Sequence, residues 1–224
     1  MATEPVTPPI PSQIHSTPAH PEIMSSQLDT LDPTTPLPPP ILTTPRLRIR
    51  PMHPQDAPSM QRACAPSSIT KYMSLAFAHP YTLQHASVWI STNLTQNLPN
   101  YVLTLHDTPT IVMGAIGLKP GADVQSHTAE IGYWVAEKYW GQGYVTEALR
   151  AFTDYVFCEK AEIWRRLWAG VFSGNEASMR ALKRCGYAEE GVMKGHVEKH
   201  GEVRDLHMFG LTRSDWETMK QSQM

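Results

Sequence analysis

Two glycines one residue apart, Gly141 and Gly143, join a run patterned as a strand to a run patterned as a helix. Ahead of them, "TAEIGYWVAE" puts Ile131, Tyr133 and Val135 on one side by two-residue alternation. Behind them, Val145, Ala148, Leu149, Phe152, Tyr155 and Val156 recur at the i, i+3, i+4, i+7 spacing of an amphipathic helix. All thirteen glycines of the chain fall after residue 113, so this pair is not part of a general scatter. Glycine accepts positive φ and lets a ligand approach the backbone closely. The first N–H groups of the following helix lack internal partners, and the helix dipole is positive there. A pyrophosphate would satisfy both. A tight turn without a ligand satisfies the same spacing, and the two readings stand side by side at this point.

The flanking pattern shows what the unit belongs to. In "RLRIRPM", Arg46, Arg48 and Arg50 alternate with Leu47 and Ile49 as in a strand. "PQDAPSMQRACA" and "TLQHASVWISTNL" read as helices, the second with Leu83, Ala86, Val88, Ile90 and Leu94 on one side. "YVLTLHD" and "TIVMGAIGL" read as strands joined through "HDTPT". After the glycine unit come a strand, "RRLWAGVF", a helix, "NEASMRALKRCGY", and a strand pair, "YAEEGVMKGHVEKHG" with "EVRDLHMFGLT". Asn175 is a natural N-cap, Glu176 sits in the first turn, Lys183 and Arg184 in the last, and Gly186 suits the left-handed closing position. The expected fold class is α/β, a central twisted mixed sheet of about six or seven strands flanked by helices.

Composition sets limits on the rest. Residues 1–45 carry twelve of the twenty prolines, eight threonines and no Lys or Arg. Such a segment buries too little apolar surface to offset its ordering entropy. Residues 1–41 are therefore expected as a disordered tail, residues 42–219 as one domain, and residues 220–224 as a short C-terminal tail. An arginine-free start argues against a transit peptide, and no apolar core follows a basic start as in a secretory signal. No apolar run reaches the roughly 20 residues of a membrane span. A formal net charge of −2 offers nothing toward nucleic acid. Cys64, Cys158 and Cys185 are too scattered for a disulfide framework and fit a reducing compartment, the cytoplasm, with the nucleus as the other setting open to it. His196 and His200 have the spacing of a helical metal pair, but Gly195 and Gly201 flank them in a hairpin pattern, so no metal is expected.

The glycine unit is a poor dinucleotide fingerprint. Thr146 stands where a third glycine is required, and three consecutive strands precede the unit instead of following from it. Taken together, "AEIGYWVAEKYWGQGYVTEAL" and "NEASMRALKRCGY" resemble a Rim-type N-acetyltransferase of the GNAT superfamily. "TPRLRIRPM" is similar to that group's first strand and "GEVRDLHMFGL" to its last, so the resemblance covers residues 42–215. It implies the GNAT fold, acetyl-CoA as cosubstrate, and direct transfer of an acetyl group to a primary amine. By the same resemblance, the strand with Tyr133, Trp134 and Val135 would pair with the pantetheine arm, and Lys138, Trp140, Gly141, Gln142, Gly143, Tyr144 and Val145 would cradle the pyrophosphate. Asn175 would bond to the arm, and Ser178 would stand near the thioester sulfur as proton donor to the leaving thiolate. Lys138 replaces the Arg or Gln of many members, which matters little to a loop that acts through its backbone.

Glu130 is the candidate general base, because an ammonium must lose a proton before it attacks. Tyr72, Tyr81 and Trp89 fall in the segment that the resemblance assigns to the acceptor side, and core packing would explain them equally. The acceptor is expected to be a peptide α-amine or a small amine, and the protein a monomer or homodimer with no nucleic-acid or membrane partner. Two other functions use the same residues. A non-catalytic acyl-CoA sensor or adaptor would bind through the same loop without turnover. An interaction protein would recruit a partner through the proline-rich tail.

Overall fold

The structure, a computed structural model, describes residues 34–222. The tail expected over residues 1–41 lies outside the described residues as far as residue 33, as do residues 223–224 of the C-terminal end. The chain runs β1 (Leu42–Thr43), β2 (Leu47–Pro51), α1 (Ala57–Cys64), α2 (Ser67–Thr70), α3 (Leu83–Thr95), β3 (Asn100–Leu105), β4 (Gly114–Pro120) and β5 (Thr128–Val135). It continues through α4 (Tyr144–Glu159), β6 (Arg166–Phe172), α5 (Glu176–Arg184), β7 (Ala188–Lys199), β8 (Glu202–Thr212) and α6 (Arg213–Gln221). The strands form one eight-stranded sheet in the order β1-β2-β3-β4-β5-β6-β8-β7. β5 and β6 are parallel, while every other neighbouring pair is antiparallel.

The strand beyond the expected six or seven is β1, two residues that fold back on β2 with Leu42 opposite Ile49. β4 starts later than its apolar run, because Ile111 N–H donates to Thr108 and keeps the connection in a turn. On α3 the buried stripe is Ala86, Ile90, Asn93 and Leu94, whereas Leu83 and Val88 are exposed. Helical geometry explains the correction: Val88 lies two residues, about 200°, around the axis from Ala86.

The sheet separates two cores. On one face α4, α5 and the turn after α5 pack Leu149, Phe152, Phe157, Leu182 and Tyr187 against Leu47, Ile131, Leu167 and Phe209. On the other, α1 and α3 pack Met60, Cys64, Ile90 and Leu94 against Met52 and Val102, with Trp134 at the edge. One ion pair is buried in the second region. Arg50 grips Asp56 with two hydrogen bonds of 2.9 and 2.7 Å, and the carboxylate also accepts His53 N–H at 2.8 Å. The carboxylate thereby closes the turn into α1.

Beneath α4, Tyr187 and Thr153 share a hydroxyl–hydroxyl bond of 2.8 Å, and both side chains are buried. Tyr187→Phe leaves the Thr153 hydroxyl without its partner in an apolar setting. Such an orphan costs about 1–3 kcal/mol, so the urea midpoint of the variant is expected to fall with an unchanged slope. No helix of the described residues is long and apolar enough to cross a membrane.

Candidate active site

The parallel pair β5–β6 is in register at only three positions, Thr128↔Arg166, Ala129↔Leu167 and Glu130↔Trp168. Beyond them β5 stays with β4 as far as Val135, while β6 stays with β8 as far as Phe172. The two central strands therefore diverge and leave a wedge. The edge of β5 over Ile131–Val135 faces that wedge with no strand paired to it. An extended ligand that carries amides could take the place of a strand there.

At the far end of β5 the chain makes one short 3-10 turn, Glu137–Tyr139, and enters the glycine loop. Gly141 and Gly143 have φ of 72° and 79°, a region that costs other residues roughly 1–2 kcal/mol each. Gly143 is the N-cap of α4 and supplies no side chain to it, whereas Thr82, Asn175 and Thr212 accept hydrogen bonds at the starts of α3, α5 and α6. Among the described residues no acceptor takes the N–H groups of residues 141–146; the first helical donor is Glu147 N–H, to Gly143. A Cβ added at Gly141 would meet nothing within 4 Å, so the space above the loop is open. A run of unspent donors at the positive end of a 16-residue helix suits a phosphate group.

Arg46 braces this loop, a role that its place in an alternating strand pattern does not signal. Its guanidinium donates to Glu147 Oε2 at 2.6 Å and to the Gln142 carbonyl at 3.0 Å, and lies 4.2 Å from the Tyr144 ring centre. Thr44 Oγ1 donates to the other carboxylate oxygen of Glu147 at 2.6 Å. Burial pushes the Glu147 carboxyl up, but the hydrogen bonds from Thr44 and Arg46 outweigh it and hold the group below the usual carboxylate range. Gln142 Nε2 donates to the Lys138 carbonyl at 2.9 Å, and the Lys138 ammonium lies over the Tyr139 ring. Trp140 is half exposed, and its indole N–H donates to the Val135 carbonyl at 2.6 Å, which fastens the end of β5 to the loop.

Across the wedge, Asn175 caps α5, its Oδ1 accepting Ser178 N–H at 3.3 Å. Ser178 Oγ and Tyr133 OH are 2.8 Å apart, so β5 and α5 each contribute one hydroxyl to a pair. Burial pushes the Tyr133 phenol well above its ordinary value, partly countered by the bond to Ser178. Glu130 lies on the opposite face of β5, with Gly132 and Trp134, toward α1 and α3. Its side chain is about one-third exposed, and Lys119 Nζ stands 3.9 Å away. Burial pushes its carboxyl upward, and the Lys119 charge offsets only part of this. The structure thus pairs Ser178 with Tyr133 and sets Glu130 on the other side of the sheet.

A strap spans the mouth of the wedge. Ser68 in α2 bonds to Glu137, just after β5. Tyr72 OH donates to the Gly174 carbonyl, just after β6, at 2.8 Å. Lys199, at the end of β7, donates to the carbonyls of Thr70 and Met73 at 2.5 and 2.7 Å. Of the three aromatic residues expected on this side, Tyr72 belongs to the strap. Tyr81 is instead buried in the core, stacked on Phe77, and Trp89 faces outward from α3. Sequence reasoning also passed over His207, which links Glu189 Oε1 at 2.8 Å to Ser173 Oγ at 3.1 Å and steadies the turn into α5. The described residues hold no group of three or more His, Cys, Asp or Glu able to bind a metal. A cavity of about 610 Å³ lies at the other end of the sheet, lined by Asn100, Tyr101, Pro120, Phe152 and Trp164 among others, and none of the residues of the wedge, the glycine loop or the strap borders it.

Residues 46–188 match the acetyltransferase (GNAT) domain family. The chain belongs to that family. It is accordingly an acyltransferase, and its mixed sheet with flanking helices is the GNAT fold. An uncharacterized N-acetyltransferase of Bacillus subtilis (strain 168), YoaA, is 28% identical over 177 residues, which is 78% of this chain and 97% of that protein. The [ribosomal protein uS5]-alanine N-acetyltransferase of Escherichia coli (strain K12) is 31% identical over 90 residues, 40% of this chain and 45% of the relative. Among solved structures, a GNAT-family acetyltransferase from Bacillus anthracis aligns with a TM-score of 0.69 at 24% identity, covering 77% of this chain and 98% of the other. RimL, a ribosomal L7/L12 alpha-N-protein acetyltransferase in complex with coenzyme A, aligns at 0.67 and 17% identity, over 77% and 97%. At these identities the structural likeness speaks for the fold.

Proposed function

We propose that this GNAT enzyme uses acetyl-CoA to acetylate a primary amine, with the α-amine of a protein chain as its principal acceptor class. The observation that carries the reading is the wedge between β5 and β6, open along one strand edge and ending at a loop of unspent N–H donors. These features fit the two halves of the cosubstrate, an amide-bearing arm and a pyrophosphate. The edge of β5 around Tyr133, Trp134 and Val135, with Asn175 opposite, would hold the arm. The backbone N–H groups of Gly141, Gln142, Gly143, Tyr144 and Val145 would hold the pyrophosphate; Trp140 N–H is already spent on the Glu137 carbonyl at 2.9 Å, so Trp140, like Lys138, would flank the loop and not donate to the ligand. Acetyl-CoA, when bound, supplies an acetyl group activated as a thioester.

Glu130 takes up the proton that an ammonium acceptor must lose, directly or through one water. A carboxyl pushed upward by burial is a better base near neutral pH than an ordinary glutamate. On the other face, the Ser178–Tyr133 pair holds a proton available to a leaving group. An α-amine, with a pKa of about 7.7–8.0, gives up its proton more readily than a lysine at about 10.4, so one carboxylate base suffices for it. The E. coli relative, named for acting on a ribosomal protein's alanine, supports this acceptor class. A cytoplasmic setting agrees with three cysteines that are free in the structure.

The reading is tested by titrating coenzyme A into the purified protein in a calorimeter, then following thiol release from acetyl-CoA with and without peptide amines. Saturable binding and amine-dependent release are expected. No heat of binding at millimolar coenzyme A would end the proposal. Within it, Ser178→Ala and Tyr133→Phe each remove one of two hydroxyls 2.8 Å apart. Each single change is expected to lower kcat about 10-fold, below the roughly 10²–10⁴-fold of a lone acid, and the double change to cost more than the product of the two.

A further inference from the structure

We infer that Gly132 is the specificity-determining residue of the acceptor site, a bare floor over which the group attached to the reacting amine lies. The inference rests on the acyltransferase reading above. β5 is an interior strand, and its face toward α1 and α3 belongs to a packed core at the Trp134 end. Gly132 is nevertheless exposed on that face, and a Cβ built on it meets nothing within 4 Å. Its cross-strand neighbour Gly117 looks similar in sequence and differs in cause. A side chain at Gly117 would collide with Asn100, whose amide donates to Asn93 at 2.7 Å. Packing therefore demands glycine at 117 and not at 132. Nor does the backbone demand it, since Gly132 is not among the glycines with positive φ. Glycine inside a strand loses chain entropy and packs nothing, and such a position suits a place where a ligand comes close.

The boundaries of the floor give the class of acceptor. Glu130 and Trp134 lie two residues to either side of Gly132 on the same face, so a carboxylate closes one end and an indole the other. Phe77 meets the Trp134 ring edge-on with centroids 6.3 Å apart and extends the aromatic wall. On the wedge side, the pairing of β5 with β6 has already ended at Glu130, so no strand flanks the floor along that edge. An acceptor amine drawn to Glu130 places its neighbouring carbon over Gly132, with the rest of the molecule running toward the aromatic wall. The site takes the amine-bearing end of a slim, extended chain, and a side chain at 132 would occupy the same volume.

The experiment compares two probes on the wild-type protein, Gly132→Ala and Gly132→Val by calorimetry. One probe is coenzyme A. The other is coenzyme A alkylated on sulfur with a bromoacetylated Ser-Gly-Gly peptide, which joins both halves without needing turnover. Wild type is expected to bind the conjugate at least roughly 10-fold more tightly than coenzyme A. Gly132→Val should bind coenzyme A within about twofold of wild type and lose that gain, with alanine intermediate. A conjugate no tighter than coenzyme A in wild type, or a gain kept in the valine variant, overturns the inference while leaving the acyltransferase reading intact. Absence of coenzyme A binding in wild type sinks both. If the valine variant fails to fold, alanine, which adds one methyl to open space, carries the comparison.

Discussion

Glu130→Gln is expected to lower kcat by about 10²- to 10⁴-fold while leaving coenzyme A affinity unchanged, the range of a positioned general base. The pH profile gives a second signature. Only the ionised carboxylate accepts a proton, so wild-type rate is full above the folded pKa of Glu130 and falls as pH drops through it. Burial sets that pKa above the ordinary carboxylate range, which moves the acidic limb toward neutrality. The glutamine variant should lack this limb altogether. Stability should move the other way. A carboxyl whose pKa is raised on folding is less content as an anion in the native state than in the unfolded chain. The neutral amide of the variant carries no such charge, so the variant is expected to melt no lower than wild type at neutral pH. A large loss of turnover with equal or better stability would separate a catalytic base from a merely structural group. Unaltered turnover, or an acidic limb surviving in the variant, would remove Glu130 from the mechanism.

Replacing both Gly141 and Gly143 with alanine is expected to weaken coenzyme A binding by about 30-fold to several hundred-fold. Each residue sits at positive φ, where a side chain costs roughly 1–2 kcal/mol, and each 1.4 kcal/mol is tenfold in affinity. Relief of that strain rotates the peptide planes and turns the N–H groups away from a common point. The rest of the fold should survive, because a Cβ at Gly141 touches nothing and one at Gly143 approaches only Arg46 Nη2, at 3.7 Å. Circular dichroism and the thermal midpoint check the fold, and calorimetry with coenzyme A checks the loop. Binding retained within twofold would mean that the loop does not hold the pyrophosphate.

The strand–glycine–helix junction was legible in sequence because each part is a local pattern. So was the α5 start, where a cap and its recipient lie three residues apart, Asn175 to Ser178. What the chain order hides are contacts between distant segments. The brace from Arg46 crosses about a hundred residues to Glu147 and uses an arginine that is indistinguishable in sequence from Arg48. The strap depends on backbone carbonyls of Thr70 and Met73, which no side-chain pattern marks. The wedge is a divergence of two strands whose periodicity reads the same whether or not they are paired. Helix α6 escaped notice because its apolar stripe is only two residues long, Trp216 against Phe157 and Met219 beside Gly186. Trp216 and Lys220 hold it to Asp154 by polar contacts at 2.7 Å, and only the capping Thr212 announces it. Gly132 was visible as a letter, yet its exposure follows from what the neighbouring strands leave uncovered.

The Arg46–Glu147 brace bears on how this gene is cut for expression. The family match begins at Arg46, which makes that residue an inviting first codon. A fragment started there keeps most of the sheet but forfeits Thr44, one of the donors that hold Glu147 in place, and puts a new ammonium at the foot of the glycine loop. Such a protein would pass for folded in a spectrum, and on the proposed reading of the loop it is expected to bind coenzyme A more weakly. Safe boundaries lie upstream of Thr35, whose hydroxyl already meets His53 at 2.8 Å.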